Sequence, residues 1–376
     1  MARAEIVVDL NAVRANVETL RQHVGRPLMA VVKADGYGHG LVPCARAALA
    51  GGADMLGVAA LDEALALRAA GITEPVLAWL AGPGERVAEA VAAGVEVSVN
   101  AGWALAEVCA AARSTGVTAR LHLKVDTGLS RGGATPADWP ELVAETVRAR
   151  AEGLVEPVAA WSHLAYADQP RHPTVDAQLA VLRESLDQAK AAGLTELSAH
   201  LANSAATLTR PDTWLDMVRP GVACYGLDPL GGDPADHGLR PAMTVRAQVA
   251  LVKQVAAGSG VSYGHSYVTE GETGLALVPI GYAEGIPRAA SNAGPVLLGG
   301  RRRRVSGRVC MDQFVVDIGA DEVHAGDEVL LWGPGDDGEP SAQDWADAAD
   351  TIHYELVTRV GGRLTRRYVE LSPRNR

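Results

Sequence analysis

Between Pro27 and Gly226 the chain repeats one pattern eight times, a short apolar run of β-forming residues followed by a longer Ala-rich segment of helical period. No other feature constrains the fold so strongly. Strands separated by helices lie parallel, because each helix carries the chain back across the sheet before the next strand begins. The apolar runs fall at residues 28–32, 55–58, 76–80, 95–99, 120–125, 157–162, 196–201 and 216–218. Eight units in roughly 200 residues fit the lower size limit of a TIM-type barrel and outnumber the strands of a usual doubly wound sheet.

A different pattern begins after Asp228. A Gly/Pro/Asp-rich stretch at 228–237 leads to short strand-like runs at 243–252, 275–279, 305–309, 313–318 and 328–332, separated by Gly and Asp clusters. The expected architecture is an α/β TIM-type (β/α)8 barrel over residues 11–237, followed by a mainly β C-terminal domain over residues 238–376. The N-terminal strand, residues 1–10, is expected to join that second domain. Residues 5–10 read as its β segment, and Asn11 as the cap of a helix over 12–24. No internal repeat of solenoid period is present.

Composition narrows the class of function. A chain of 376 residues with 48% hydrophobic and 21% charged residues can bury two cores. Its net charge of -11 argues against a nucleic-acid partner, which needs clustered cations to neutralise phosphates. The basic run Arg301–Arg304, after Gly299-Gly300, reads as a solvated hairpin end rather than a binding patch. Cys44, Cys109, Cys224 and Cys310 lie in apolar stretches without CxxC spacing, so neither a disulfide framework nor a metal site is expected. The N-terminus lacks the apolar run of a secretory signal and no later stretch reaches membrane-spanning length, so the expected location is the cytoplasm.

In a TIM-type barrel the reactive groups collect where the strands end. Here the first run ends in Val31-Val32-Lys33, the fifth contains Lys124, the sixth precedes His163, the seventh leads to Asn203-Ser204 and the eighth to Arg219-Pro220-Gly221. The chain has four lysines, Lys33, Lys124, Lys190 and Lys253, and two of them fall on barrel runs. An amine buried at a strand end loses hydration of its charge, which lowers its pKa and makes the neutral nucleophile available. Taken alone, Lys33 reads better as a lysine reaching to the barrel rim.

Its context changes that reading. The string Ala30-Val31-Val32-Lys33-Ala34-Asp35-Gly36-Tyr37-Gly38-His39-Gly40 puts the lysine before a Gly-rich turn, where backbone can approach a ligand closely. The whole string resembles the cofactor-lysine motif of alanine racemases. Further motifs follow in family order over nearly the full chain: Lys124-Val125-Asp126-Thr127-Gly128-Leu129-Ser130-Arg131, Trp161-Ser162-His163-Leu164-Ala165, Ala202-Asn203-Ser204-Ala205-Ala206, Met217-Val218-Arg219-Pro220-Gly221, Gly260-Val261-Ser262-Tyr263-Gly264 and Cys310-Met311-Asp312-Gln313.

The resemblance implies a pyridoxal 5'-phosphate enzyme that interconverts L-alanine and D-alanine and supplies D-alanine for peptidoglycan. Lys33 then holds the cofactor. Asn203, the Ser204 hydroxyl and backbone donors at Gly221 and Val222 cradle its phosphate, with phenols from Tyr37 and Tyr354. Arg219 faces the ring nitrogen, and His163 packs near the ring and steadies that arginine; a lone histidine would otherwise read as a satisfied core residue. Arg131 meets the substrate carboxylate, held by a carbamate on Lys124, whose alternative is a plain ion pair with Asp126. Because arginine does not release its proton, a ring nitrogen bonded to Arg219 stays unprotonated, and the shallower electron sink suits racemisation better than decarboxylation.

Racemisation needs a base on each face of the α-carbon, since a proton removed and returned on one side changes nothing. By resemblance Lys33 serves one face and Tyr263 the other. A phenol with pKa near ~10 can act only beside a cation, for which Arg131 is the candidate. The family's tyrosine comes from the second subunit, so the resemblance implies a homodimer with shared sites. The same subunit brings the Met311 amide to the substrate carboxylate, with Asp312 beside it, and Tyr282 to narrow the entrance. Two positions depart from the family pattern: Glu284 stands where Asp is usual, near the expected entrance, and Leu364-Thr365-Arg366 replaces Val-Pro-Arg on an expected surface strand. The competing readings are a broad-specificity or serine racemase on the same scaffold and a non-catalytic cofactor carrier.

Overall fold

The structure is a computed structural model that describes residues 3–370, so the outermost ends of the expected N-terminal strand and β domain lie outside the described residues. It divides into two compact units. One comprises residues 13–36 and 40–239; the other comprises the N-terminal stretch to Ala12, residues 37–39 and the chain from Arg240 onward.

The chain begins with strand β1 (Ala4–Asp9) and a helix over Leu10–Val24. Asp9, rather than Asn11, caps that helix: its Oδ1 accepts the amides of Asn11 at 2.9 Å and Ala12 at 3.3 Å. Both residue types favour caps, and the sequence order of the two decides nothing until the strand's end is known.

In the first unit, β2 (Met29–Val31), β3 (Met55–Val58), β4 (Val76–Ala78), β5 (Glu96–Val99), β6 (Ala119–Lys124), β7 (Val155–Trp161) and β8 (Ser198–His200) pair in that order, all parallel. The eighth expected strand is reduced to single bridges. Met217 bridges His200 and Val218 bridges Leu28, and Met29 N–H donates to the Val218 carbonyl at 2.9 Å, so both sheet edges meet this segment and the barrel closes. A longer stave is prevented on both sides, by the left-handed Leu215 (φ 53°) before it and by Pro220, which has no N–H, after it. Strands buried on both faces explain the near-continuous apolar runs, and Leu28, Leu56, Leu77, Leu121 and Leu123 are fully buried.

The second unit is mainly β. After β1 come β9 (Met243–Gln248), β10 (Leu251–Val255), β11 (Gly260–Val261), β12 (Tyr267–Val268), β13 (Thr273–Val278), β14 (Pro295–Leu298), β15 (Arg301–Arg304), β16 (Phe314–Gly319), β17 (Glu328–Trp332) and β18 (Thr365–Val369). They form sheets in the orders β15-β14-β17-β9-β1-β18, β10-β13-β16 and β11-β12. Glu5 on β1 binds Arg246 of β9 and Arg367 of β18, clamping three neighbouring strands.

Two sequence expectations change here, and a third, the solvated hairpin end, gains its strand. The run 243–252 is two strands in two sheets, because the chain bends where Val249 N–H turns to Asp327 and Ala250 N–H to Leu277. Residues 305–309 form no strand; Val305 makes only a bridge to Val316. The basic run before them is the strand β15, paired antiparallel with β14 through a turn whose Gly299 and Gly300 take φ of 61° and 70°. That is the turn a two-residue hairpin favours. Arg301 and Arg303 pair with Asp321 and Arg302 with Asp344, and four arginines on an edge strand discourage further pairing.

Candidate active site

The turn after β2 shapes the first part of the site. Ala34, Asp35, Gly36 and Tyr37 have φ of 54°, 54°, 61° and 51°, four left-handed residues in succession of which three carry side chains. Such residues cost about 1–2 kcal/mol each, so the turn must be held from outside. Gly36 N–H donates to the Val32 carbonyl at 2.9 Å, Leu41 N–H to Asp35 Oδ1 at 2.8 Å and Ala34 N–H to Glu63 Oε1 at 2.6 Å. Glu63 Oε2 in turn accepts the amides of Ala59 and Ala60, at 2.9 and 3.1 Å. Lys33 is thereby fixed where the strand stops. Burial lowers the pKa of its amine, Arg131 pushes the same way, and Glu63 opposes them.

Lys124 closes β6, level with Trp161 on β7 and, across it, His200 on β8. Its Nζ lies 4.6 Å from the Trp161 ring centroid, and Arg219 Cζ lies 4.8 Å from the same ring. Burial, with Arg131 and Arg219 nearby, brings the Lys124 amine down to about 8. The alternative ion pair with Asp126 does not form among the described residues. Asp126 Oδ1 instead accepts the amides of Gly128, Leu129 and Ser130 at 3.0–3.1 Å and shapes the turn that leads to Arg131. His163 is held neutral, at about 3, first by burial and then by Arg219, Arg131, Lys33 and Lys124. These couplings place five expected site residues in one electrostatic neighbourhood.

Arg219 is buried. Its Nη1 donates to His200 Nδ1 at 2.9 Å and its Nη2 to the carbonyls of Ser162 and Leu201 at 2.8 and 3.3 Å. The imidazole bonded to Arg219 is His200, which points inward from β8; His163, beyond the end of β7, is coupled to Arg219 through charge. Among the described residues Arg219 Nε–H meets no acceptor, which suits a ring nitrogen. Ser204 Oγ accepts the amides of Gly221 at 2.8 Å and Ala223 at 3.3 Å, so Gly221 positions Ser204 while the serine proton remains to be donated. Asn203 caps the short helix Ser204–Thr209 through the Ala206 amide.

In the second unit the expected residues form two groups. Tyr37 and Tyr354 stand with ring centroids 6.3 Å apart. The other group carries Tyr263, Tyr282 and Met311, which are 71%, 39% and 54% exposed. Its loops are bonded together: Tyr282 N–H donates to the Cys310 carbonyl at 3.1 Å, Ala283 N–H to the Met311 carbonyl at 2.9 Å, and Ser262 Oγ to the Arg308 carbonyl at 2.7 Å. Gly281 is required there, since a Cβ would stand 2.3 Å from the Cys310 carbonyl oxygen. Ser262 holds φ 60°, ψ -170°, a region nearly reserved for glycine, just before Tyr263.

Glu284 is fully buried at the end of the turn that carries Tyr282. Its Oε2 accepts the Gly281 amide at 2.9 Å, and its Oε1 binds Arg363, which also reaches Asp312 at 2.6 Å. Among the described residues no cluster of His, Cys, Asp or Glu could hold a metal ion, the four cysteines are free thiols, and no helix is long and apolar enough to cross a membrane. The barrel end is built for a ligand with separated acceptors: cations for anionic groups, a lone guanidinium N–H for a ring nitrogen, and a half-buried amine for a carbonyl carbon.

Comparison with known proteins agrees. The family described as alanine racemase, N-terminal domain, matches residues 8–229, and that described as alanine racemase, C-terminal domain, matches residues 242–368. An alanine racemase of Frankia casuarinae is 60% identical over 370 residues, covering 98% of this chain and 96% of that protein. The crystal structure of alanine racemase from D-cycloserine-producing Streptomyces lavendulae superposes with a TM-score of 0.97 at 56% identity, covering 98% of this chain and 97% of that one. An alanine racemase from Bartonella henselae, with covalently bound pyridoxal phosphate, gives a TM-score of 0.88 at 30% identity, covering 98% of this chain and all, 100%, of its own. Two family models that together span nearly the whole chain, and a relative at this identity, establish that the chain belongs to the alanine racemase family.

Proposed function

We propose that this chain is an alanine racemase that interconverts L-alanine and D-alanine with pyridoxal 5'-phosphate held by Lys33. The observation that carries the reading is the half-buried Lys33 amine, fixed by a left-handed turn and drawn towards its neutral form at the barrel end that also presents Lys124, Arg131, Arg219 and Ser204. When bound, pyridoxal phosphate withdraws electrons from the α-carbon of an attached amino acid and so acidifies its proton. Lys33 takes or returns that proton on one face. Arg219 would donate to it through Nε–H without giving up its proton, Ser204 would donate to its phosphate with Asn203, Gly221 and Val222 shaping the cradle, Tyr37 and Tyr354 would add phenols, and His163 would lie near its ring.

Arg131 binds the substrate carboxylate. A carbamate on Lys124 would orient it, and an amine brought to about 8 offers the neutral form that carbamylation requires. The second base is Tyr263 of the partner subunit, in a homodimer where each site is shared. The high exposure of Tyr263, Met311 and Tyr282 supports that arrangement, because it leaves these side chains open to a second subunit. The Met311 amide meets the carboxylate, Asp312 supports that loop and Tyr282 narrows the entrance. The enzyme works in the cytoplasm and supplies D-alanine for peptidoglycan. Racemisation assays of the purified protein against a panel of L-amino acids, with borohydride trapping, test the reading: alanine is expected to be the preferred substrate and Lys33 the labelled residue. Label on another lysine, or no turnover of alanine, refutes it.

A further inference from the structure

Behind Arg219 a line of buried polar side chains runs on from His200 to His122 and Glu96, which no role above uses. His200 Nδ1 accepts from Arg219 at 2.9 Å, and His200 Nε2 lies 2.8 Å from His122 Nδ1. His122 Nε2 lies 2.7 Å from Glu96 Oε2, and Arg120 Nε donates to Glu96 Oε1 at 2.7 Å. Glu96, His122 and His200 come from β5, β6 and β8, and all three are buried.

The protons in this line follow from one fact. A guanidinium donates hydrogen bonds and accepts none, so His200 Nδ1 must be bare and its proton must sit on Nε2. That N–H points at His122 Nδ1, which must also be bare, and the His122 proton on Nε2 then points at Glu96. A carboxylate at the far end accepts it, while a protonated His122 would force a second donor against Arg219 through His200. Burial, the largest influence on both rings, lowers the pKa of His122 and His200; burial pushes the Glu96 carboxyl up, but the bonds and charges of His122 and Arg120 together hold it below its usual value. Among the described residues no carboxylate touches Arg219 directly.

We propose that Glu96, acting through His122 and His200, is a positioning residue that holds Arg219 as a one-way donor and provides its counter-charge from across the barrel. The catalytic consequence rests on the racemase reading. Arg219 is kept from swinging towards solvent, and its Nε–H stays aimed where an acceptor nitrogen is expected. Lys124 and His163 face the same guanidinium from β6 and the β7 exit, and Arg120 faces Glu96 from the exposed side.

Nitrogen-15 imidazole spectra of the full cofactor-loaded chain test the idea. His122 and His200 are each expected to carry one proton, on Nε2, from about pH 6 to about pH 9, a range in which an ordinary imidazole titrates. A proton on Nδ1 of either ring, or an imidazolium, overturns it. Glu96→Gln keeps an oxygen for His122 but removes the charge, so the tautomers stay and the pH titration of the cofactor's visible absorbance moves. Glu96→Leu removes both, and kcat falls about tenfold to a hundredfold, with KM for alanine little changed, as for loss of a charge-assisted hydrogen bond. Activity lost while tautomers and absorbance titration stay as in the wild type would reveal a merely structural role and overturn the proposal. If Glu96→Leu does not fold, Glu96→Gln decides. A wild-type chain that shows these tautomers without racemising alanine supports the donor line and refutes the assigned activity.

Discussion

Replacing Glu63 by Gln tests how the Lys33 turn is held. Glu63 accepts three backbone amides, Ala34 on one oxygen and Ala59 and Ala60 on the other. Glutamine has one acceptor oxygen, and turning it towards Ala59 and Ala60 keeps two bonds and aims its NH2 at the Ala34 amide. Donor then meets donor at the residue that begins the left-handed turn. An amide left without an acceptor costs about 1–3 kcal/mol, and the exposed Ala34 amide, which water can reach, belongs at the low end, about 1–2 kcal/mol. For a unit of this size that is a loss of about 3–6 °C in Tm.

The catalytic effect is expected to exceed the stability effect. A misplacement of about 1 Å at a reacting group can cost a hundredfold in rate, and Lys33 adjoins the freed amide. Glu63 also favours the protonated Lys33 amine, against burial and Arg131. Removing that negative charge lowers the Lys33 pKa further, so the acidic limb of the kcat profile moves to lower pH. Differential scanning calorimetry, borohydride trapping rates and a pH–kcat profile read the three effects. A Glu63→Gln protein that melts within a degree of wild type, traps cofactor at the same rate and keeps its acidic limb in place would show that Glu63 does not hold the turn.

Further outcomes are open to measurement. Tyr263→Phe is expected to abolish racemisation while leaving cofactor absorbance intact, and an active monomer in ultracentrifugation would defeat the shared-site arrangement. At Ser262, Gly relieves a backbone conformation costing about 1–3 kcal/mol whereas Ala keeps it, and both lose the bond to Arg308, so urea titrations are expected to find Ser262→Gly the more stable by about that amount. His122, His163 and His200 are all kept neutral when folded, so below about pH 6.5 the unfolded chain binds up to three extra protons and stability falls with acid, by as much as about 4 kcal/mol per pH unit. A urea midpoint unchanged between pH 7.5 and 5.5 would contradict this. Glu284→Gln withdraws a buried charge from Arg363 and loosens the loop of Tyr282 and Met311, raising KM for alanine about threefold to tenfold with a smaller change in kcat.

Periodicity made the barrel legible, because a strand buried on both faces has to be apolar along its length. The end-of-strand rule then brought out Lys33, Lys124 and Arg219 without reference to any partner in space. What stayed hidden depends on contacts between distant residues. The glycines after Lys33 suggested a tight turn, but the left-handed Ala34, Asp35 and Tyr37 exist through bonds such as that from Glu63, 29 residues away from Ala34. β15 was obscured by its own charge, since an edge strand of arginines has no apolar face to advertise it. His122 and His200 are the most instructive omission. Each interrupts an apolar run, as Leu121-His122-Leu123 and Ala199-His200-Leu201, and a polar side chain on such a strand must find a hydrogen-bond partner inside the barrel. That signal was present, yet it named no partner: His122 and His200 are 78 residues apart, and only the pairing of β6 and β8 on either side of β7 in the curled sheet sets them 2.8 Å from each other. Once they touch, the donor rule of arginine orders every proton back to Glu96, so the polar interruptions of buried strands, more than the motifs at their ends, are where a sequence of this fold conceals its electrostatic design.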